Sequence, residues 1–65
     1  MYSNKELIIK LKNYKQKTGQ SYGDIAKIIG VKKMSLYDFM KNNRPAWKMN
    51  IILNNFFEKN ENNNE

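Results

Sequence analysis

Apolar residues recur at intervals of three and four along most of the chain, and this spacing places them on one face of an α-helix. Ser3 and Glu6 have the spacing of a capping box, which satisfies free backbone N–H groups at a helix start. Gly19 supplies the permissive backbone with which helices commonly end. A first helix is therefore predicted to run to about Thr18. Its apolar face consists of Leu7, Ile8, Leu11 and Tyr14.

Two shorter apolar groups follow, separated by a glycine. Ser21 is a candidate N-cap with Asp24 three residues further on, and Gly30 closes a helix of about eight residues. The apolar side of this second helix consists of Ile25, Ala26, Ile28 and Ile29. A third helix is predicted over residues 33–41. Its apolar side consists of Leu36, Phe39 and Met40.

A fourth helix is predicted after Pro45, which disfavours helical geometry at Arg44 but fits the first turn of a new helix. This helix carries the apolar residues Trp47, Met49, Ile51, Ile52, Leu53, Phe56 and Phe57. From residue 60 to 65 the chain has only Asn and Glu, which predicts a disordered tail. No segment alternates with the period of a β-strand. The predicted fold is all-α, a compact four-helix domain over residues 1–59.

The charge of the chain is strongly positive and unevenly distributed. The net charge is +6 over 65 residues, and residues 1–48 alone carry +8 while residues 49–65 carry −2. A bias of this size favours a polyanionic partner, nucleic acid first. Abundant Lys, Asn and Ile is also typical of an AT-rich genome, so codon usage is a second source of this charge.

Several classes of protein are disfavoured by what the sequence lacks. Without Cys or His, we expect no disulfide, no thiolate or imidazole metal site and no cofactor, and no small-molecule ligand is evident. No apolar stretch approaches the roughly 20 residues of a membrane span, and no signal peptide is recognisable, so we expect a cytoplasmic protein without a membrane partner. The carboxylates are scattered and there is no glycine-rich phosphate loop, so we do not expect an enzyme.

Residues 22–41 have the pattern of a helix-turn-helix. Ala26 stands where two steeply crossing helices need a small side chain, and Gly30 stands at the tight turn. The inward-facing positions are filled by Ile25, Ile29, Val31, Leu36 and Phe39. On these residues the chain resembles the Cro/C1-type, or XRE-type, helix-turn-helix DNA-binding family over roughly residues 5–57. The resemblance implies a lambda-repressor-like fold. The alternative is that small and apolar residues at helical spacing describe any four-helix domain.

In that family the second helix of the unit lies in the major groove with its N-terminal residues against base edges. The resemblance implies base contacts from Lys33, Met34, Ser35, Tyr37 and Asp38. Lysine can donate to guanine, apolar side chains can pack on a thymine methyl, and a carboxylate can accept from cytosine N4. Phosphate contacts are expected from Lys17, Ser21, Tyr22, Lys32, Lys41, Asn43 and Arg44. Ordinary surface exposure is the alternative, and it weighs more for Asp38 than for Lys33 or Met34.

The chain departs from the family at three positions. Tyr22 replaces a frequent glutamine that links the two helices by a hydrogen bond. Met40 replaces a frequent glutamate whose partner is an arginine of the first helix, and the corresponding residue here is Lys15. Lys32 takes the N-cap position of the third helix, where Ser or Thr would contribute about 1 kcal/mol.

The fourth helix has more apolar residues than one buried face accommodates. A homodimer through Trp47, Ile51, Phe56 and Phe57 would cover the surplus and place two recognition helices roughly 34 Å apart on DNA. The alternative is that Trp47 and Ile51 fold back onto the first helix. We expect a sequence-specific transcriptional regulator that binds double-stranded DNA, a repressor of phage, plasmid or mobile-element origin. The competing hypothesis is a protein-interaction or accessory module, such as an antitoxin or a replication or conjugation factor, that uses helix 46–58.

Overall fold

A computed structural model describes residues 1–42 and 47–62, with side chains over 1–41 and 47–60. The four helices are α1 (Asn4–Thr18), α2 (Tyr22–Ile29), α3 (Lys33–Asn42) and α4 (Trp47–Asn62), and the described part contains no strand. Residues 43–46 lie outside the described part. They include the predicted start of the fourth helix at Pro45 and the phosphate contacts expected from Asn43 and Arg44.

The predicted starts and ends of the first two helices are confirmed. The backbone N–H of Ser3 donates to Glu6 Oε1 at 2.9 Å and that of Glu6 donates to Ser3 Oγ at 3.2 Å, and Ser21 and Asp24 repeat this arrangement on α2. The bond from the Ser3 backbone is the main cause that lowers the pKa of the Glu6 carboxyl. α1 and α2 end at glycines with left-handed backbone, φ +74° and +89°.

One apolar core joins the four helices, because each contributes one stripe of its surface to it. α2 packs on α3 and on α4, and α1 packs on α4. The radius of gyration, 11.0 Å, is that of a compact chain of this length. The buried apolar residues are Leu7, Leu11, Ile25, Ala26, Leu36, Phe39, Met49, Leu53 and Phe57.

Three sequence predictions need correction. Ile28, placed on the apolar side of the second helix, is exposed, because the core-facing stripe of this helix consists of Tyr22, Ile25, Ala26 and Ile29, and Ile28 lies beside it. Phe57, expected at a dimer interface, is only 5% exposed and belongs to the core. α4 also continues through residue 62, past the predicted start of the tail at Asn60, whose side-chain amide donates to the carbonyl of Phe56 at 2.8 Å. Residues 63–65 lie outside the described part.

A buried asparagine of α4, Asn54, holds the N-terminal residues against this helix through hydrogen bonds. Asn54 is 1% exposed, its Oδ1 accepts from the Tyr2 N–H at 2.6 Å, and its Nδ2 donates to the Tyr2 carbonyl at 3.1 Å. The same Nδ2 lies 2.8 Å from Asn50 Oδ1. The Lys10 ammonium lies 4.3 Å from the centroid of the Tyr2 ring. These contacts hold the chain entering α1 against the middle of α4.

None of the helices in the described part of the chain has the length and apolar character that a membrane span requires.

Candidate nucleic-acid interface

The turn between α2 and α3 is short and closely hydrogen bonded. The N–H groups of Gly30 and Val31 both donate to the carbonyl of Ala26, at 2.8 and 2.9 Å. Leu36 N donates to the Lys32 carbonyl at 3.1 Å, which places Lys32 at the N-cap position as expected. Unlike α1 and α2, α3 has no acidic residue in its first turn. The positive end of the α3 dipole therefore adjoins two lysine residues and no carboxylate of its own first turn.

The five residues expected to contact bases lie together on the exposed side of α3. Leu36 and Phe39 face the core and Met40 is partly buried against it, which leaves the opposite side of α3 exposed. The exposed residues of α3 are Lys33, Met34, Ser35, Tyr37, Asp38 and Lys41. The side chain of Met34 is 73% exposed and that of Tyr37 is 39% exposed. This surface therefore combines cations, apolar groups and a single carboxylate.

An aromatic and cationic cluster joins the start of α2 to the first half of α3. The rings of Tyr22 and Tyr37 meet edge to face, with centroids 5.7 Å apart and planes at 75°. The Lys33 ammonium lies 5.7 Å from the Tyr37 centroid, and the Lys15 ammonium of α1 lies 5.2 Å from the Tyr22 centroid. A Cβ on Gly23 would lie 3.5 Å from Lys33 Cδ, so the lysine stem passes close to the start of α2. Tyr22 thus links the two helices by ring packing, at the position where the family that the sequence resembles frequently has a glutamine.

Residues expected to contact phosphate are distributed over several surfaces. Lys32 and Lys41 are exposed at the two ends of α3. The Ser21 hydroxyl already accepts from the Asp24 N–H, which leaves its own hydrogen for donation, but the Asp24 carboxylate occupies the same helix end. Lys17 lines a groove of about 380 Å³ between α1 and α4, together with Tyr14 and Phe57. The structure therefore does not group Lys17 with α3.

The exposed apolar side of α4 is smaller than the sequence predicts. Trp47 is 68% exposed and Ile51 is 41% exposed, so neither is folded back into the core. Phe56 is half-buried, and its ring meets Tyr14 edge to face at 5.4 Å. With Phe57 buried, Trp47 and Ile51 remain the accessible part of the predicted interface.

Comparisons with protein-family models, with curated proteins and with solved structures find no match to this chain. In the part of the chain that the structure describes, no three side chains of metal-binding type lie together.

Proposed function

We propose that this chain is a sequence-specific DNA-binding transcriptional regulator of the Cro/C1 type, in which α2, the turn at Gly30 and α3 form a helix-turn-helix. The observation that carries the proposal is the exposed face of α3. Five side chains capable of contacting base edges share this face, and Lys32 and Lys41 stand at its ends. A helix with this face fits the major groove, which is wide enough to admit it.

Each part of this face has a role on duplex DNA. Lys33 donates to guanine O6 or N7, and Asp38 accepts from the amino group of cytosine. Lys32 and Lys41 contact phosphates on either side of the groove and fix the helix in register. A protein seated in this way at a promoter prevents access by polymerase, so the chain acts as a repressor, as expected for a small protein of phage, plasmid or other mobile-element origin.

At the start of α2, Ser21 adds a phosphate contact through its hydroxyl and Tyr22 adds one through its backbone N–H or its hydroxyl, because the Ser21 N–H already donates to Asp24. The Asp24 carboxylate weakens any anion contact at this end of the helix. The main electrostatic attraction therefore comes from the lysines of α3 and its preceding turn.

The first experiment is a salt titration of binding to duplex DNA. Each phosphate neutralised by a cation contributes a slope of about −0.9 to the dependence of log K on log salt. Lys41→Ala should remove about one such unit, whereas Lys12→Ala on α1 should leave the slope unchanged. An absence of binding at low salt, about 50 mM, would refute the proposal.

Base recognition is tested separately with the binding site selected from a random DNA pool. Lys33→Ala should relax preference at one base pair at a cost of about 1–3 kcal/mol, whereas Arg44→Ala should weaken all sequences alike. If Lys33→Ala kept the specificity of the unaltered chain, Lys33 would not be a base-contacting residue.

A homodimer through Trp47 and Ile51 completes the proposal, because their exposure leaves apolar surface on α4 that the described part of the chain does not cover. Sedimentation with and without DNA tests it, and Trp47→Ala should shift the chain towards monomer. A 7.8 kDa species in the absence of DNA, together with one chain per duplex in its presence, would exclude the homodimer. It would leave these residues to the second candidate function, capture of another protein by α4.

A further inference from the structure

Two apolar residues, Met34 and Tyr37, lie on the exposed face of α3 between the lysine residues at its two ends. Tyr37 follows Met34 by three positions, so the two are neighbours on the helix surface. Both are among the exposed large apolar side chains of the described chain, although α3 already buries Leu36 and Phe39. Isolated exposed apolar residues are common, but here two adjoin each other within the surface proposed to meet DNA.

The Tyr37 ring is held in place from two sides. Tyr22 meets it edge to face, and the Lys33 ammonium lies over it at 5.7 Å. A ring fixed in this way loses little conformational freedom on binding. Met34 has no such restraint and its flexible thioether adapts to the surface that it meets. The pair therefore combines a restrained apolar side chain, Tyr37, with a flexible one, Met34.

The only apolar group on base edges in the major groove is the C5-methyl of thymine. From the adjoining exposure of Met34 and Tyr37, we infer that this pair contacts thymine methyl groups, and that the chain distinguishes thymine from the same pyrimidine without its methyl. This inference rests on the proposed function and specifies which feature of the DNA site Met34 and Tyr37 recognise.

Replacement of thymine by deoxyuridine tests the inference, because it removes one methyl group and leaves the base pair intact. In the duplex selected from a random pool, each thymine is replaced in turn and the Kd is measured. At one or two positions in each half-site, Kd should rise about fourfold, as expected for one methyl group returned to water. At other thymines, Kd should stay unchanged.

The effect must depend on the protein side chains as well as on the DNA. In Met34→Ala, the rise in Kd at one of these positions should fall below about twofold, because the methyl then has no close apolar partner. Ile9→Ala removes an exposed apolar side chain from α1 and should retain the full fourfold effect. Both altered residues are exposed, and thermal unfolding measurements check that the variants are folded.

Four outcomes would overturn the inference. Specific binding that tolerates uracil at every thymine, or a selected site without thymine, would refute the methyl contact and leave the proposed function standing. An undiminished uracil effect in both Met34→Ala and Tyr37→Ser would assign the methyl contact to other residues. An absence of duplex binding at low salt would refute the proposed function itself, and the inference with it.

Discussion

The rings of Tyr22 and Tyr37 meet edge to face at 5.7 Å and so connect the first turn of α2 to the second turn of α3. Edge-to-face pairs of this kind contribute about 0.5–1.5 kcal/mol beyond the area that they bury. The contact sets α3 against α2 through ring packing, at a position where the helix-turn-helix family that the sequence resembles frequently has a glutamine. Its strength is therefore insensitive to competition from water for hydrogen bonds.

A double-mutant cycle on this pair should show that the two rings are coupled. Tyr22→Leu and Tyr37→Leu, made singly and together, should give an interaction free energy of about 0.5–1.5 kcal/mol in urea unfolding. Tyr14 packs against α4, so Tyr14→Leu combined with Tyr37→Leu serves as the control and should be additive. Additivity of the Tyr22 and Tyr37 variants would mean that the ring contact contributes nothing.

Replacement by alanine should change stability in opposite directions at two glycines, Gly23 within α2 and Gly30 directly after it. Gly30 has φ +89°, where a side chain costs about 1–2 kcal/mol, so Gly30→Ala should destabilise the fold by that amount. Gly23 is helical, and an added Cβ would make an ordinary contact with Lys33 at 3.5 Å. Gly23→Ala should therefore stabilise the fold by up to about 1 kcal/mol. Thermal and urea unfolding of both variants measure these changes in stability. Changes of the same sign in the two variants would contradict the prediction.

Replacement of the buried Asn54 by alanine should destabilise the chain by about 1–3 kcal/mol, because the N–H and the carbonyl of Tyr2 each lose a hydrogen bond, although Asn50 Nδ2 still donates to that carbonyl at 3.3 Å. The neighbouring Asn55 is exposed, and Asn55→Ala should change stability by less than about 0.5 kcal/mol. Hydrogen exchange should accelerate at the Tyr2 amide in the Asn54 variant only. Equal stability of the two variants would show that this network does not fasten the N-terminus.

The lowered pKa of Glu6 predicts a pH-dependent contribution to stability. The folded carboxyl has a pKa below its ordinary value of 4.5, because the Ser3 backbone donates to its charged form. The ionised cap therefore stabilises the fold above pH 4.5, and this contribution is lost as the pH falls through the lowered pKa. Urea unfolding should show that the unaltered chain loses its advantage over Glu6→Gln in acid. A difference that is constant with pH would contradict the assignment.

Helix positions were largely predictable because their signals are local. Ser3, Ser21, Gly19 and Gly30 act through bonds within a few residues, so spacing alone identifies them. The extension of α4 past Asn60 was not predicted, since a run of Asn and Glu has no apolar period to mark it. Its observed support is a hydrogen bond from the Asn60 side chain to the preceding turn.

Tertiary contacts were predicted less well, because they depend on which helix faces another. Nothing in the sequence distinguishes Asn54 from the neighbouring Asn55, although one is buried and the other exposed. The surplus of apolar residues on α4 was overestimated because Phe57 is covered by the rest of the chain. The cluster around Tyr22 and Tyr37 was missed for the same reason, since tyrosines fifteen residues apart carry no pairing signal.

Charge reversal at two matched places tests most directly whether the exposed face of α3 binds duplex DNA. Lys33→Glu with Lys41→Glu, and Lys5→Glu with Lys12→Glu, change the net charge equally but on α3 and α1 respectively. At about 100 mM salt, where exposed charges act over about 10 Å, the α3 variant should bind the selected duplex at least about 100-fold more weakly than the unaltered chain. The α1 variant should lose only a few-fold. Equal losses in the two variants, or no binding by the unaltered chain, would contradict the central claim.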